Sequence, residues 1–251
     1  MKSAFIKDNT PNSLTKGKRI IIPVTIIECP SMKIFSVRFY KNGRVMTEVV
    51  SENLDKELKR KVKFSKTKTK SLDDIKNYDD IRIVVYSQVK KTGIKKSPDI
   101  IELALGGNAE EKLKFIKENL GKEISIKDVF KKNSLIDVRG LTKGHGLSGP
   151  VKRFGISLKS HKSEKGRRRP GSLGPWHPAR TTFYAPQAGQ LGMFTRNIYN
   201  LKIIDIGNSY FTNIENYGNV KNDYIIVSGS VSGPEKRQLL IESKWLKKIK
   251  S

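Results

Sequence analysis

A long cationic stretch between two apolar segments constrains the fold more than any other feature of this chain. Residues 139–204 contain thirteen Lys or Arg and a single acidic residue, Glu164. β-Branched runs at 135–138 and 202–206 flank the stretch and are typical of strands. Residues 155–190 are rich in Gly, Pro, Arg and Ser and have no apolar period, which predicts a long functional loop held at both ends by sheet. A disordered run of charge is the alternative.

The rest of the chain shares this excess of positive charge. It has 50 Lys and Arg against 24 Asp and Glu, a formal net charge of +26. Self-repulsion of that size opposes compaction unless a polyanion compensates it, so a nucleic acid or an anionic membrane is the expected partner. No run approaches the roughly 18 apolar residues of a membrane span, and the first residues lack the apolar core of a secretion signal. The single cysteine, Cys29, fits a reducing cytosol.

Short apolar runs separated by Gly turns predict a mainly β chain. Residues 19–28 and 33–40 are expected to be paired strands, and Asn42-Gly43 is a turn signal. The several strands together favour a small barrel. From residue 44 to residue 133, charges of both signs are interspersed, which indicates a mixed α/β insertion.

Two helix starts are predicted inside this insertion. Asn108 is an N-cap with Glu111 three residues on, and Gly121 is the expected stop. Ser125 and Asp128 repeat the capping pattern. We assign local packing, and no function, to the first of these helices.

Ring-bearing side chains alternate with the cations of the 139–204 stretch. Rings can stack on unpaired bases, and the stretch offers Phe154, Trp176, His177, Phe183 and Tyr184. Trp176 lies between a Gly-Pro and a His-Pro pair, which predict a rigid turn. A residue at a loop tip is therefore favoured over the alternative, a tryptophan of the core.

Two patterns suggest an enzyme, but each lacks a required partner. Residues 144–149 fit a dinucleotide-binding fingerprint, yet neither a following helix nor an acidic residue about 20 positions on is expected. The histidines His145, His161 and His177 have no metal-site spacing, and Glu164 is the one carboxylate in their segment. No catalytic residue, metal or cofactor is predicted. A phosphate-handling enzyme that uses His145 stays open as an alternative.

Several motifs resemble those of one protein family. They are Gly-Leu-Thr-Lys-Gly-His-Gly-Leu-Ser-Gly-Pro-Val-Lys-Arg-Phe-Gly at 140–155, Arg-Arg-Arg-Pro-Gly-Ser-Leu-Gly-Pro-Trp-His-Pro-Ala-Arg at 167–180, Gln-Ala-Gly-Gln-Leu-Gly at 187–192 and Gly-Ser-Val-Ser-Gly-Pro-Glu-Lys-Arg at 229–237. Together they resemble the archaeal branch of the universal large-subunit ribosomal protein L3 family. The resemblance covers nearly the whole chain.

For the fold, the resemblance implies a small translation-protein-type β-barrel with an inserted α/β region and a long basic extension loop. The implied divisions are 1–43 for the first part of the barrel, 44–134 for the inserted region, 135–154 for the barrel return and a basic turn, 155–195 for the extended rRNA-binding loop and 196–251 for the last part of the barrel. Family members begin with a basic arm and a first barrel strand that this chain lacks. We therefore expect either a truncated start or a different closure of the barrel.

For function, the resemblance implies a structural constituent of the large ribosomal subunit in the cytoplasm. Such a protein binds large-subunit rRNA, aids subunit assembly beside neighbouring ribosomal proteins and extends a loop toward the peptidyl transferase centre. It has no enzymatic activity, cofactor, membrane association or small-molecule substrate. By matching motif, Trp176 and His177 lie at the loop tip, with Arg167, Arg168 and Arg169 on its stem. The alternative is a non-ribosomal, general nucleic-acid-binding protein.

The charge pattern and the resemblance together predict one set of RNA-binding residues. The set is Arg139, Lys143, His145, Lys152, Arg153, Lys159, Lys162, Arg167, Arg168, Arg169, Trp176, His177, Arg180, Gln187, Gln190 and Arg196. All of them are polar or ring-bearing residues of the same cationic stretch, so they are expected to lie on one tethered loop and its base.

Overall fold

The fold is mainly β, as the sequence predicts. A computed structural model describes residues 2–63, 71–208 and 210–243. The strands are β1 (Lys2–Lys7), β2 (Arg19–Glu28), β3 (Met32–Lys41), β4 (Arg44–Val50), β5 (Asp80–Ser87), β6 (Ile100–Ala104), β7 (Glu123–Ile124), β8 (Leu135–Leu141), β9 (Gly146–Ser148), β10 (Gly189–Leu191), β11 (Thr195–Gly207), β12 (Phe211–Ile214), β13 (Gly218–Val220), β14 (Tyr224–Ser228) and β15 (Leu239–Ser243). The helices are α1 (Val89–Thr92), α2 (Ala109–Asn119), α3 (Ile126–Val129) and α4 (Pro150–Phe154), with 3₁₀ turns at Lys56–Arg60 and Leu72–Asp74. Within the described ranges, no helix is long and apolar enough to cross a membrane.

The described residues form two compact units. The first takes the described parts of Met1–Ile136, Asn200–Ser230 and Ser243–Ser251, and the second takes Asp137–Tyr199 and Val231–Glu242. Strands β8 and β11 each run from one unit into the other. Almost all of the cationic stretch therefore belongs to the second unit.

One sheet of the first unit joins strands that are far apart in sequence. β1 pairs antiparallel with β2, β2 with β14, and β14 with β11. β-Branched residues favour these strands and also fill the interior, where Val24, Ile203, Ile225 and Val227 are buried. The chain that leads into β8 lies beside β11, because Ile203 N donates a hydrogen bond to the carbonyl oxygen of Ser134 at 2.9 Å.

A second sheet of the first unit has the order β4-β3-β5-β6, with β7 beside β3. On one face Phe39 and Ile83 pack in a core that includes Ile116 of α2. On the other face Phe35 packs with Leu58, which the 3₁₀ turn presents. Apolar side chains thus cover both faces of this sheet, as the strongly apolar sequence of β5 indicates.

The expected pairing of residues 19–28 with residues 33–40 is wrong. β2 pairs with β1 and β14, whereas β3 pairs with β4, β5 and β7. The turn at Asn42 and Gly43 is present, with left-handed φ values of 49° and 73°, but it joins β3 to β4. Glu28 instead faces Tyr224 in register, and no local sequence pattern identifies a partner so distant along the chain.

Both predicted helix starts are confirmed. α2 begins after Asn108, whose N–H donates to Glu111 Oε2 at 3.0 Å. α3 begins after Ser125, whose N–H donates to Asp128 Oδ2 at 3.0 Å. Each contact satisfies a main-chain donor that the first turn of a helix leaves free, which is why this spacing could be recognised in the sequence.

The second unit is built on β8, β11 and β15. Gly140 of β8 packs so closely on β15 that a Cβ at this position would lie 2.6 Å from Leu239 Cδ2. Beyond β8, Thr142 N donates to Phe194 O at 3.0 Å. β9 and β10 form a separate two-stranded sheet. Taken over residues 2–63, 71–208 and 210–243, the strands make several sheets and no closed barrel.

Candidate nucleic-acid interface

The second unit carries a long irregular segment between α4 and β10, which we term the basic loop (residues 155–188). It contains neither helix nor strand, as its composition predicts. Several main-chain hydrogen bonds close turns within it, and the two that join residues farthest apart are those from Lys159 N to Arg167 O and from Thr182 N to Leu173 O, both at 3.1 Å. The basic loop is therefore an ordered excursion with internal turns, of which these two are the widest.

The ends of the basic loop are held together by the β9–β10 ladder. Gly189 faces Ser148 and Leu191 faces Gly146. Just beyond β10, Gly192 has a φ of 80°, and a Cβ there would lie 1.9 Å from the carbonyl oxygen of Lys143. Only glycine allows this approach of two main chains, so Gly192 fixes the base of the basic loop.

Helix α4 corrects the expectation that no helix follows residues 144–149. Pro150 occupies its first turn, where a missing N–H costs nothing, and Gly155 ends it with a φ of 68°. These end signals suffice for a helix of 5 residues without an apolar period. Glu164 lies 20 positions after Gly144, so an acidic residue is also present at about the required distance. The dinucleotide interpretation fails instead because, among the described residues, no strand follows α4 before β10, and a dinucleotide-binding unit requires a strand there.

The rings of the basic loop face solvent. Trp176 lies inside the turn that Leu173 and Thr182 close, and its side chain is 87% exposed. Phe183 and Tyr184, directly after this turn, are also exposed. The alternative of a core tryptophan is therefore wrong for Trp176, and all three rings are accessible for stacking.

The cations of the second unit have few acidic neighbours. Of the predicted RNA-binding residues, only Lys143 lies near a carboxylate in the described part of the chain, with Nζ 4.0 Å from Glu235 Oε1. Arg167 Nε donates instead to the carbonyl oxygen of Lys159 at 3.2 Å. Arg153 and Arg167 are half-buried, and the other cations of the set are exposed: Arg139, Lys143, Lys152, Lys159, Lys162, Arg168, Arg169, Arg180 and Arg196.

The structure brings some of the predicted residues together at the loop base. His145 Nδ1 and Lys152 Nζ lie 3.4 Å apart. Arg153 donates hydrogen bonds to the main-chain carbonyls of Gln187 and Gln190. Lys143 lies between β8 and β9, Arg139 and Arg196 lie on β8 and β11, and the remaining members of the set lie along the basic loop.

Sequence reasoning treated Arg153 as one more phosphate ligand and gave Gly192 no structural part. The glycines at 189 and 192 were a signal that main chain or side chain approaches closely there, but the sequence does not reveal which group approaches. The structure identifies these groups as the Arg153 guanidinium and the Lys143 carbonyl.

This arrangement can bind a polyanion and unpaired bases. Exposed guanidinium and ammonium groups bind phosphate oxygens, and exposed rings stack on bases. Among the described residues, no three His, Cys, Asp or Glu side chains are placed to share a metal ion. The groups that the basic loop presents can therefore make ionic contacts with anions and stack on planar rings.

The chain is similar to ribosomal proteins over almost its full length. A model of the family described as Ribosomal protein L3 matches residues 1–250. Relatives named "Large ribosomal subunit protein uL3" include that of Methanocaldococcus jannaschii, 38% identical over 96% of this chain and 78% of the relative. The protein of the same name from Archaeoglobus fulgidus is 40% identical over 94% and 77%. That from Picrophilus torridus is 39% identical over 92% and 74%.

Proposed function

The chain belongs to the ribosomal protein L3 family, and we propose from this premise that its basic loop binds large-subunit ribosomal RNA. Proteins of this family are structural, so the chain is a constituent of the large ribosomal subunit and not an enzyme. Its place is accordingly in the cytoplasm, within the ribosome.

One observation carries the RNA proposal: exposed cations of the second unit lack carboxylates that would neutralise them. Arg168, Arg169 and Arg180 have no ion pair among the described residues. In the first unit, by contrast, Arg38 lies 3.1 Å from Glu48 and 2.6 Å from Glu102. Unpaired cations on a tethered loop are what a phosphate backbone requires.

The finer assignment concerns where the basic loop reaches. We propose that it extends toward the peptidyl transferase centre, with Trp176 and His177 at its tip, and that the chain aids subunit assembly beside neighbouring ribosomal proteins. The exposed ring of Trp176 and the turns that main-chain hydrogen bonds close within the basic loop support an extended, preorganised element. Peptide bond formation would remain the work of RNA.

We also propose that the first-unit sheet β1-β2-β14-β11 and the adjoining β8 correspond to the translation-protein-type barrel. Its strands come from residues 1–43, 135–154 and 196–251, the ranges expected for the barrel. The second sheet of that unit draws on the expected insertion at 44–134. β3 pairs within this second sheet, although it precedes residue 44. We therefore place the start of the insertion before β3 instead of at residue 44.

Salt dependence tests the RNA proposal. If six to ten phosphates are contacted, affinity for large-subunit RNA should fall roughly a thousandfold to a hundred-thousandfold between about 50 and 200 mM salt. Co-sedimentation with large subunits through high-salt gradients should persist, because specific contacts add to the electrostatic ones. A flat salt response, or equal competition by duplex DNA, would contradict the proposal and favour a general nucleic-acid binder.

The tip assignment has its own test. Trp176→Ala should leave RNA affinity within a factor of about ten, since one stacked base contributes only a small part of a large interface, while translation by subunits that contain the variant is impaired. Trp176→Phe keeps a ring and serves as the control. Loss of all RNA binding in Trp176→Ala would mean that this residue is not at a tip.

A further inference from the structure

The Arg153 side chain closes the base of the basic loop. Its Nη1 donates to the carbonyl oxygen of Gln187 at 3.0 Å, and its Nε donates to that of Gln190 at 3.2 Å. Arg153 lies in α4, immediately before the basic loop begins, and the two glutamines flank its end. One guanidinium therefore joins the entry of the loop to its exit.

The guanidinium lies directly against the main chain of Gly189. A Cβ at Gly189 would be 2.7 Å from Arg153 Nη1 and 2.8 Å from Cζ. The φ of Gly189 lies outside the left-handed range, so the backbone itself would accept an L-residue. What Gly189 provides is the space in which the arginine reaches two carbonyls.

We infer that Arg153 is a positioning residue, which clamps the two ends of the basic loop together instead of binding a phosphate. A planar fork with several donors can bond two carbonyls at once, whereas a lysine ammonium on a flexible stem lacks this geometry. The guanidinium of Arg153 also lies over the ring of Phe154, with Cζ 5.0 Å from the ring centre. This inference deepens the proposed function. Only the test that measures RNA binding depends on that function being correct.

The adjacent residue shows the contrast. Lys152 is exposed and has no carboxylate near it among the described residues, and its Nζ contacts only His145. Lys152 is therefore free to bind a phosphate, while two of the five N–H donors of Arg153 already bond to carbonyls. Two neighbouring cations of equal charge are thus expected to respond differently to substitution.

The first test needs no RNA. Hydrogen exchange of the full free chain, followed by mass spectrometry, should reveal exchange about tenfold faster at residues 144–149 and 186–192 in Arg153→Lys, because a net hydrogen bond is lost there. Gly189→Ala should have the same effect by displacing the guanidinium. Lys152→Ala should leave exchange at 186–192 unchanged, because Lys152 makes no hydrogen bond to that segment among the described residues. Unaltered exchange in both Arg153→Lys and Gly189→Ala would overturn the inference, whatever the chain binds.

A double variant sharpens this test. If Gly189→Ala acts only through Arg153, adding it to Arg153→Lys should cause no further increase in exchange. Additive increases would mean that the glycine and the arginine act separately, and the clamp would then be rejected.

The second test separates the clamp from a phosphate contact. Arg153→Lys keeps the charge, so it should weaken RNA binding severalfold without changing the slope of log affinity against log salt. Lys152→Ala should reduce that slope by about 0.7 to 0.9. Full RNA affinity in Arg153→Lys, together with a reduced slope in Arg153→Ala, would identify Arg153 as a phosphate ligand. If the wild-type chain bound no RNA, the proposed function would be wrong. The hydrogen-exchange experiment on the free chain would still test whether Arg153 holds the loop ends together.

Discussion

Single glycines decide how closely the chain can approach itself at the base of the basic loop. Gly189 leaves room for a side chain, and Gly192 leaves room for the main chain at Lys143. The two positions differ in backbone conformation, because only Gly192 has a left-handed φ. Substitution of Gly189 should therefore destabilise the loop base by displacing a side chain. Substitution of Gly192 should destabilise it through backbone strain and a clash with main chain.

Gly192→Ala should lower the free energy of unfolding by at least about 2 kcal/mol, because a left-handed φ and a contact with a main-chain oxygen act together. Urea denaturation measures this change. Gly171→Ala is the matched control within the basic loop, since its Cβ would meet nothing within 4 Å. Equal unfolding midpoints for the two variants would mean that the approach at Lys143 is not needed.

At the scale of elements, the sequence predicted those features that depend on residues close together in the chain. The capping pairs at Asn108 and Ser125 lie within three residues of their partners, and both predictions are confirmed. The length and irregularity of the basic loop likewise followed from composition. The partner of β2 did not, because pairing with β14 depends on packing between distant segments. α4 was missed since its end residues, rather than an apolar period, specify it.

The ion pairs on the second sheet of the first unit predict a pH dependence. Burial alone would raise the pKa of Glu102, but hydrogen bonds from Tyr40 and Arg38 and the charges of Arg38 and Arg82 hold this pKa below its usual 4.5. A carboxyl with a depressed pKa stabilises the fold above about pH 4.5, and this stabilisation is lost as the pH falls through the folded-state pKa.

Urea unfolding from pH 7 to pH 3 checks this expectation. Glu102→Gln should be less stable than the wild type at pH 7, and the difference should shrink toward acid. The exposed Glu52 offers a control, because Glu52→Gln should behave like the wild type throughout. A difference that stays constant with pH would exclude the charge of Glu102 as its cause.

On the scale of the whole molecule, the two units carry their charges differently. The sequence of the second unit has fourteen Lys or Arg against four Asp or Glu, so most of its cations cannot find an internal partner. Acidic residues of the first unit, such as Glu48 and Asp80, are paired with cations. The second unit thus has the higher ratio of cations to acidic residues, although the sequence of the first unit, with 36 Lys or Arg against 20 Asp or Glu, carries the larger net charge.

The free chain should consequently become more stable as salt is added. Screening of self-repulsion is expected to contribute roughly 1 kcal/mol between about 50 and 500 mM NaCl, a shift of about 2–4 °C in the unfolding midpoint. Circular dichroism of the RNA-free chain measures this midpoint. RNA affinity should change in the opposite direction over the same range, so a falling midpoint would contradict this account of the charge.

The division of the chain into units has a consequence for biosynthesis. Residues 231–242, with most of β15, belong to the second unit although they follow the whole of the basic loop by more than forty positions. A growing polypeptide therefore exposes its polycationic segment to the surrounding solution before the strand that completes that unit has emerged. During synthesis there is therefore an interval in which the basic loop has been made but β15, which completes the second unit, has not.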